Sequence, residues 1–184
     1  IKSGLEERLA PVQADIDAAQ AALDAVNAAT AAVEAAENAA SALAKDGTDF
    51  QAAIDAAQVL HIDAQPLVAE LPAGAIKTGF EVRLAQVQAD IDAAQKALDF
   101  LKGIQEVEAM IAALPSVDEL VLSDYIEVQA ARAAFEALSE EQQDLVSNLA
   151  TLAAAEDRIS EQVLVDIDNR INAVIPQLNL EGTG

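Results

Sequence analysis

The chain opens with IKSGLEERLAPVQADIDAAQAALD and, at residues 76–99, returns to nearly the same string as IKTGFEVRLAQVQADIDAAQKALD. From Lys2–Asp24 to Lys77–Asp99, 18 of 23 positions are identical, the changes being Ser3/Thr78, Leu5/Phe80, Glu7/Val82, Pro11/Gln86 and Ala21/Lys96. Self-similarity at a fixed spacing marks a chain assembled from repeated units, each needing a neighbour to bury its apolar face. Within the second copy Leu84, Val87, Ile91, Ala94 and Leu98 recur at spacings of three and four, the stripe of a helix that buries one side. The first copy carries that stripe as Leu9, Val12, Ile16, Ala19 and Leu23.

The segment between the copies holds two more helical patterns. Val26, Ala29, Val33, Ala36, Ala40 and Leu43 continue the spacing without Pro or Gly, so the helix of the first copy is expected to run on to about Lys45, where Gly47 ends it. Thr48 and Gln51 then form a capping box that starts a second helix with Phe50, Ile54, Ala57 and Leu60 inward, kinked or interrupted at Pro66 and ended by Pro72 and Gly74. Lys77 to Leu114 is expected to be one connecting helix of about 57 Å at ~1.5 Å per residue. Gly103 weakens it by roughly 1 kcal/mol and is its expected flexing point.

After Leu114 the stretch LPSVDELVLSD reads as a loop. Ser123 is expected to cap a helix over 124–138 that buries Ile126, Ala130, Ala133 and Ala134 or Leu138. Ser139 to Gln142 is a second capping box, followed by Leu145, Val146, Leu149 and Leu152. A last amphipathic run through Ile159, Val163, Ile167, Ile171 and Val174 is expected to stop at Pro176, leaving NLEGTG as a linker.

These patterns predict an all-α fold of tandem three-helix bundles joined by shared long helices into an elongated rod. Residues 1–24 read as the end of a preceding helical repeat, 25–102 as a first bundle, 103–176 as a second and 177–184 as the linker toward a further domain. The start at Ile1, with no initiator Met and no signal-peptide pattern, reads as a piece of something longer.

Composition agrees with slender helices. The 53% apolar content is carried by 43 Ala, with only 3% aromatic residues, so backbones approach closely instead of enclosing a thick aromatic core. Ten Lys and Arg against 32 Asp and Glu give a net charge of -22, which repels nucleic acid and leaves no basic patch to displace its counterions. Cysteine is absent, removing disulfides and thiolate metal sites. No apolar run approaches the ~18 residues that span a bilayer, and the acidic faces opposite the stripes do not suit anionic lipid.

At Val33, Ala36, Glu37, Ala53, Ala57, Leu71, Pro72, Lys77, Arg83, Leu84, Val87 and Gln88 the chain resembles the helical repeats of Gram-positive surface-layer (S-layer) proteins of the SbsC type. In those repeats helices of the forms AVxxAE, DxxAAxxLVxxLP and KxxxxxRLxxVQxxI succeed one another. From Ala130 to Glu156 the sequence is similar to a helical module common in large secreted proteins of bacilli and clostridia. The resemblances imply an extracellular coat or wall-exposed protein in the cell wall or S-layer of a Gram-positive bacterium. Its partners would be neighbouring domains, lattice copies of itself and a cell-wall polymer. The VLHIDAQPLVAELP stretch looks longer than the family's second helix, and the acidity of the chain departs from the basic wall-anchoring regions, so the anchor's role is not carried over.

Chemistry is sparse. His61 is the single histidine and, without Cys or a second His, makes neither a zinc site nor a nucleophilic triad; it reads as a helix-flank residue. Asp15 and Asp17, like Asp90 and Asp92, lie two apart on a helix and point to different sides, so they do not converge as an acid–base pair. Asp166, Asp168 and Asn169 mimic part of a calcium loop but lack its Gly and Glu, and read as a solvated helix face. No cofactor is expected beyond loose Ca²⁺ association with the acidic faces.

Lys77 and Arg83, echoed by Lys2 and Arg8, are the recurring cations, and pair in the simplest reading with Glu6, Glu7 or Glu81. If the chain instead grips a cell-wall glycan or host protein, these two together with Tyr125 and Arg132 are the candidate binding residues. The expected function is that of a non-enzymatic spacer, with an extracellular binding module as the alternative.

Overall fold

The computed structural model describes the backbone of residues 2–43 and 50–181 and the side-chain surroundings of residues 8–43 and 50–175. Regular structure among the described residues is helical, with no strand. It comprises α1 (Lys2–Ala42), α2 (Phe50–Ala69), α3 (Ala75–Ala112), α4 (Tyr125–Glu136), α5 (Glu140–Gln143) and α6 (Leu149–Glu181), with a 3-10 turn at Leu122–Asp124. The chain divides into two compact units, Ile1–Leu98 and Asp99–Gly184. Lys45, Gly47 and the Thr48 capping box lie outside the described residues.

In the first unit, α1 contributes Ala29, Val33, Ala36 and Ala40 to the core, joined by Leu43 just beyond its end, and α2 contributes Ile54, Ala57, Ala64 and Val68. The amino-terminal part of α3 adds Phe80, Leu84, Val87, Ile91 and Ala94. Ala29, Ala36, Ala57 and Ala64 are fully buried, so helix backbones approach without side-chain bulk between them, while the longer α3 residues fill the remaining groove.

Pro66 does not interrupt α2, which continues past it to Ala69. Pro66 and Ile62, the residue one turn before it whose carbonyl loses its amide donor, both sit at exposed positions, where the freed carbonyl need not be buried without a donor. The helix closes with Leu71 N donating to Val68 O at 3.2 Å. His61 is not on the helix flank but buried, 3% exposed, between α2 and its neighbours.

In the second unit, Ile104, Val107 and Ile111 of α3 pack with Leu120, Val128, Ala131 and Phe135, then with Val146, Leu152, Ala155 and Ile159. Helix α4 is rotated from the expected phase. Val128, Ala131 and Phe135 face inward, whereas Ala130 and Ala133 are exposed and Ile126 is 73% exposed. Ser123 does not cap this helix. It lies inside the 3-10 turn, and the Asp124 carboxylate accepts from Val121 N at 2.9 Å instead.

The second capping box forms as read from the sequence. Gln142 N donates to Ser139 Oγ at 3.3 Å and Ser139 N donates to Gln142 Oε1 at 3.1 Å. Helix α6 does not stop at Pro176 but runs to Glu181, so part of the expected linker is helical.

Gly103 has a structural reason that the sequence hides. A Cβ there would stand 2.8 Å from Gln142 Nε2 and 3.3 Å from Leu138 Cδ2. The missing side chain opens the path by which Gln142 Nε2 donates to Phe100 O at 2.8 Å, tying α5 to α3.

Candidate functional site

Of the cations singled out in the sequence, Lys77, Arg83 and Arg132 are already engaged. In the first unit Arg83 approaches Glu37 of α1 as a fork, Nε to Oε1 at 2.7 Å and Nη2 to Oε2 at 2.6 Å, with its guanidinium 5.5 Å from the Phe80 ring centre. The partner is therefore a carboxylate on another helix, not Glu81. In the second unit Arg132 of α4 repeats the arrangement with Glu156 of α6, at 2.6 and 2.5 Å, and stands 5.5 Å from the Phe135 ring.

Two parallel charge-assisted bonds plus an aromatic face hold each guanidinium in one orientation and lock the helix pair in register. The Arg83 hydrogen bond holds the Glu37 carboxyl below its usual range against the opposing effect of desolvation, and the hydrogen bonds to the carboxylates raise both arginines. In each, Nε and Nη2 are already taken by a carboxylate.

Lys77, in the first turn of α3, donates from Nζ to Ala69 O at 2.6 Å and so closes the carboxyl end of α2. Tyr125 opens α4, half exposed. Lys77 and Arg83 thus act inside the first unit, and Arg132 inside the second, as fasteners between helices. Glu37 and Glu156 were missed by sequence reasoning. The available signal was the recurrence of an Arg three residues from a Phe, Phe80–Arg83 and Arg132–Phe135, in a chain with only 4 Phe.

Further polar contacts have the same character. Gln58 and Gln88 exchange amide contacts at 3.4 Å between α2 and α3. Glu108 accepts from both the hydroxyl (2.6 Å) and the amide (2.8 Å) of Ser147, bonds that lower its carboxyl, and Asn148 Nδ2 donates to Glu108 O at 2.8 Å. Together they fix the start of α6 against α3.

The acidic surface is dressed by Gln-to-Asp bonds one turn apart, Gln13–Asp17, Gln86–Asp90 and Gln88–Asp92 among them, so Asp90 and Asp92 have separate partners. Asp166, Asp168 and Asn169 lie within α6, with Asp166 3.8 Å from Arg170. Among the described residues no three acidic or imidazole groups converge on a point that would hold a metal, and no helix is long and apolar enough to cross a membrane. His61 accepts at Nε2 from the Gln65 amide at 2.9 Å, and its buried Nδ1 has no partner.

Two apolar stripes also lie uncovered. Leu9, Val12 and Ile16 are 63%, 53% and 56% exposed, although their counterparts Leu84, Val87 and Ile91 are 6%, 2% and 3% exposed. Ile167, Ile171, Val174 and Ile175 of α6 are similarly bare and line one shallow depression with Arg170. The sequence reading had placed both stripes in cores.

No protein-family model matches this chain, and neither does any curated protein or solved structure.

Proposed function

We propose that this chain is a structural spacer of an extracellular bacterial surface protein, S-layer-like, in which three-helix bundles follow one another as a rod and adjoining bundles share a helix. The observation that carries the reading is α3, a single helix from Ala75 to Ala112 that gives Leu84, Val87 and Ile91 to one core and Ile104, Val107 and Ile111 to the other. A helix that belongs to two cores ties them through one continuous run of backbone hydrogen bonds. Polar side chains among the described residues fasten helix to helix, which suits a geometric task. The charge of -22 keeps neighbouring copies apart at low salt and welcomes Ca²⁺ only as a diffuse counterion.

Small-angle scattering tests the shape. A distance distribution with a long tail is expected, and a compact, symmetric one refutes the rod. Titration with purified wall polymer tests the role: a spacer gives no saturable micromolar signal, whereas such a signal would transfer the chain to the binding-module reading.

A further inference from the structure

The exposed face of α1 between Arg8 and Leu23 is matched, residue by residue, to a face whose occupant is known. In the second copy, Arg83, Leu84, Val87, Gln88, Ile91, Ala94 and Leu98 meet the hairpin of α1 and α2 through the Glu37 ion pair, the Gln58 amide contact and the apolar core. All seven are identical in the first copy as Arg8, Leu9, Val12, Gln13, Ile16, Ala19 and Leu23.

Four of the five differences avoid this face. Thr78, Val82, Gln86 and Lys96 are exposed, and the buried Phe80 is replaced by another apolar residue, Leu5. The seven contact residues have all been kept, although in the first copy Arg8, Leu9, Val12, Gln13, Ile16, Ala19 and Leu23 lie open. An open face that repeats every one of these contact residues at the same spacing is complementary to the same kind of partner as the covered one.

We infer that residues 8–23 form a docking face for a two-helix hairpin of the chemistry of Val26–Leu71. The first helix of that hairpin presents small residues and a carboxylate in the register of Glu37, which receives Arg8. Its second presents apolar residues and a glutamine in the register of Gln58, which meets Gln13. The inference concerns local docking and stands apart from the rod and from the cell surface, because its test reads neither shape nor wall binding.

The test extends the full chain by fusing a second copy of residues 25–75 ahead of Ile1, reproducing the order in which those residues precede Ile76. Amide hydrogen exchange at residues 9–23 is expected to slow by at least about 100-fold in the extended chain, toward the protection of residues 84–98. Ile16→Asp should abolish that protection while leaving 84–98 unchanged. Arg8→Glu should also weaken it, and Glu37→Arg in the added copy should restore it, a rescue that non-specific apolar adhesion would not give.

An added hairpin that leaves 9–23 unprotected, or fails to fold while residues 26–98 remain intact, overturns the inference. So does a chain without the extension that already protects 9–23 and sediments as a dimer, since the occupant would then be a second copy.

Discussion

Replacing Gly103 with Ala sets two effects of known size against each other at one atom. Within α3 the substitution gains about 1 kcal/mol of helix propensity. The new Cβ, however, would lie 2.8 Å from Gln142 Nε2, so the amide must swing away. In leaving, it gives up its bond to Phe100 O at 2.8 Å, and its other end loses the capping bond from Ser139 N at 3.1 Å. At about 1 kcal/mol per hydrogen bond the loss is about 2 kcal/mol, which exceeds the propensity gain. Gly103→Ala should therefore destabilise the wild-type chain by about 1 kcal/mol. In a Gln142→Ala background there is no amide to displace, and the same change should stabilise by about 1 kcal/mol, a coupling of about 2 kcal/mol. Urea unfolding followed by circular dichroism on the four proteins of this cycle measures it. If Gly103→Ala stabilises equally in both backgrounds, the glycine is merely a weak point of the helix and the close-approach argument fails.

Acid should weaken the first unit through Glu37. Because its carboxyl is held below the usual 4.5 in the folded chain, its contribution is fully present above that value and is lost as pH falls through the lower folded value. With both partners about a third exposed, the ion pair contributes under about 1 kcal/mol, and Glu37→Gln should flatten this part of the acid limb; an unchanged limb would assign the acid loss to other groups. His61→Leu should raise stability by about 1 kcal/mol, because it removes a buried Nδ1 without a partner, and a measured loss of stability would reveal a bond to water at that nitrogen. Raising NaCl from about 10 to about 150 mM should raise the melting temperature, since 32 carboxylates face ten cations and repulsion dominates what salt screens; a fall would mean that the ion pairs outweigh it.

How much of this was legible in the sequence depended on how unambiguous each stripe was. In α3, Leu84, Val87 and Ile91 stand among Arg, Gln and Asp, so only one face can be buried and the helix was readable almost to its ends. In α4, Ile126, Val128, Ala130, Ala131, Ala133 and Ala134 put apolar residues on several faces at once, and spacing alone cannot choose among them. Tertiary contacts chose. The face carrying Val128, Ala131 and Phe135 is the one that lets Arg132 reach Glu156 while its ring partner Phe135 packs inward. A chain that takes its apolar content from alanine thus states that it is helical more clearly than it states which way each helix faces.

The same ambiguity explains why the arginine fasteners matter more here than surface ion pairs usually do. Alanine seams bring helices close but supply little shape to resist sliding, because one methyl is much like the next along the groove. A bidentate pair fixes both the distance and the register of the two helices, and an adjacent ring restricts the guanidinium further. One such fastener sits in each unit, Arg83–Glu37 and Arg132–Glu156. The value of each therefore lies less in total stability than in selecting one register among several of similar packing energy. Exchanging the charges as Arg83→Glu with Glu37→Arg should then preserve the register that the single changes disturb. Backbone chemical shifts and exchange protection along 84–98 would report it, and a doubly exchanged chain as disturbed as either single variant would show that alanine packing alone sets the alignment.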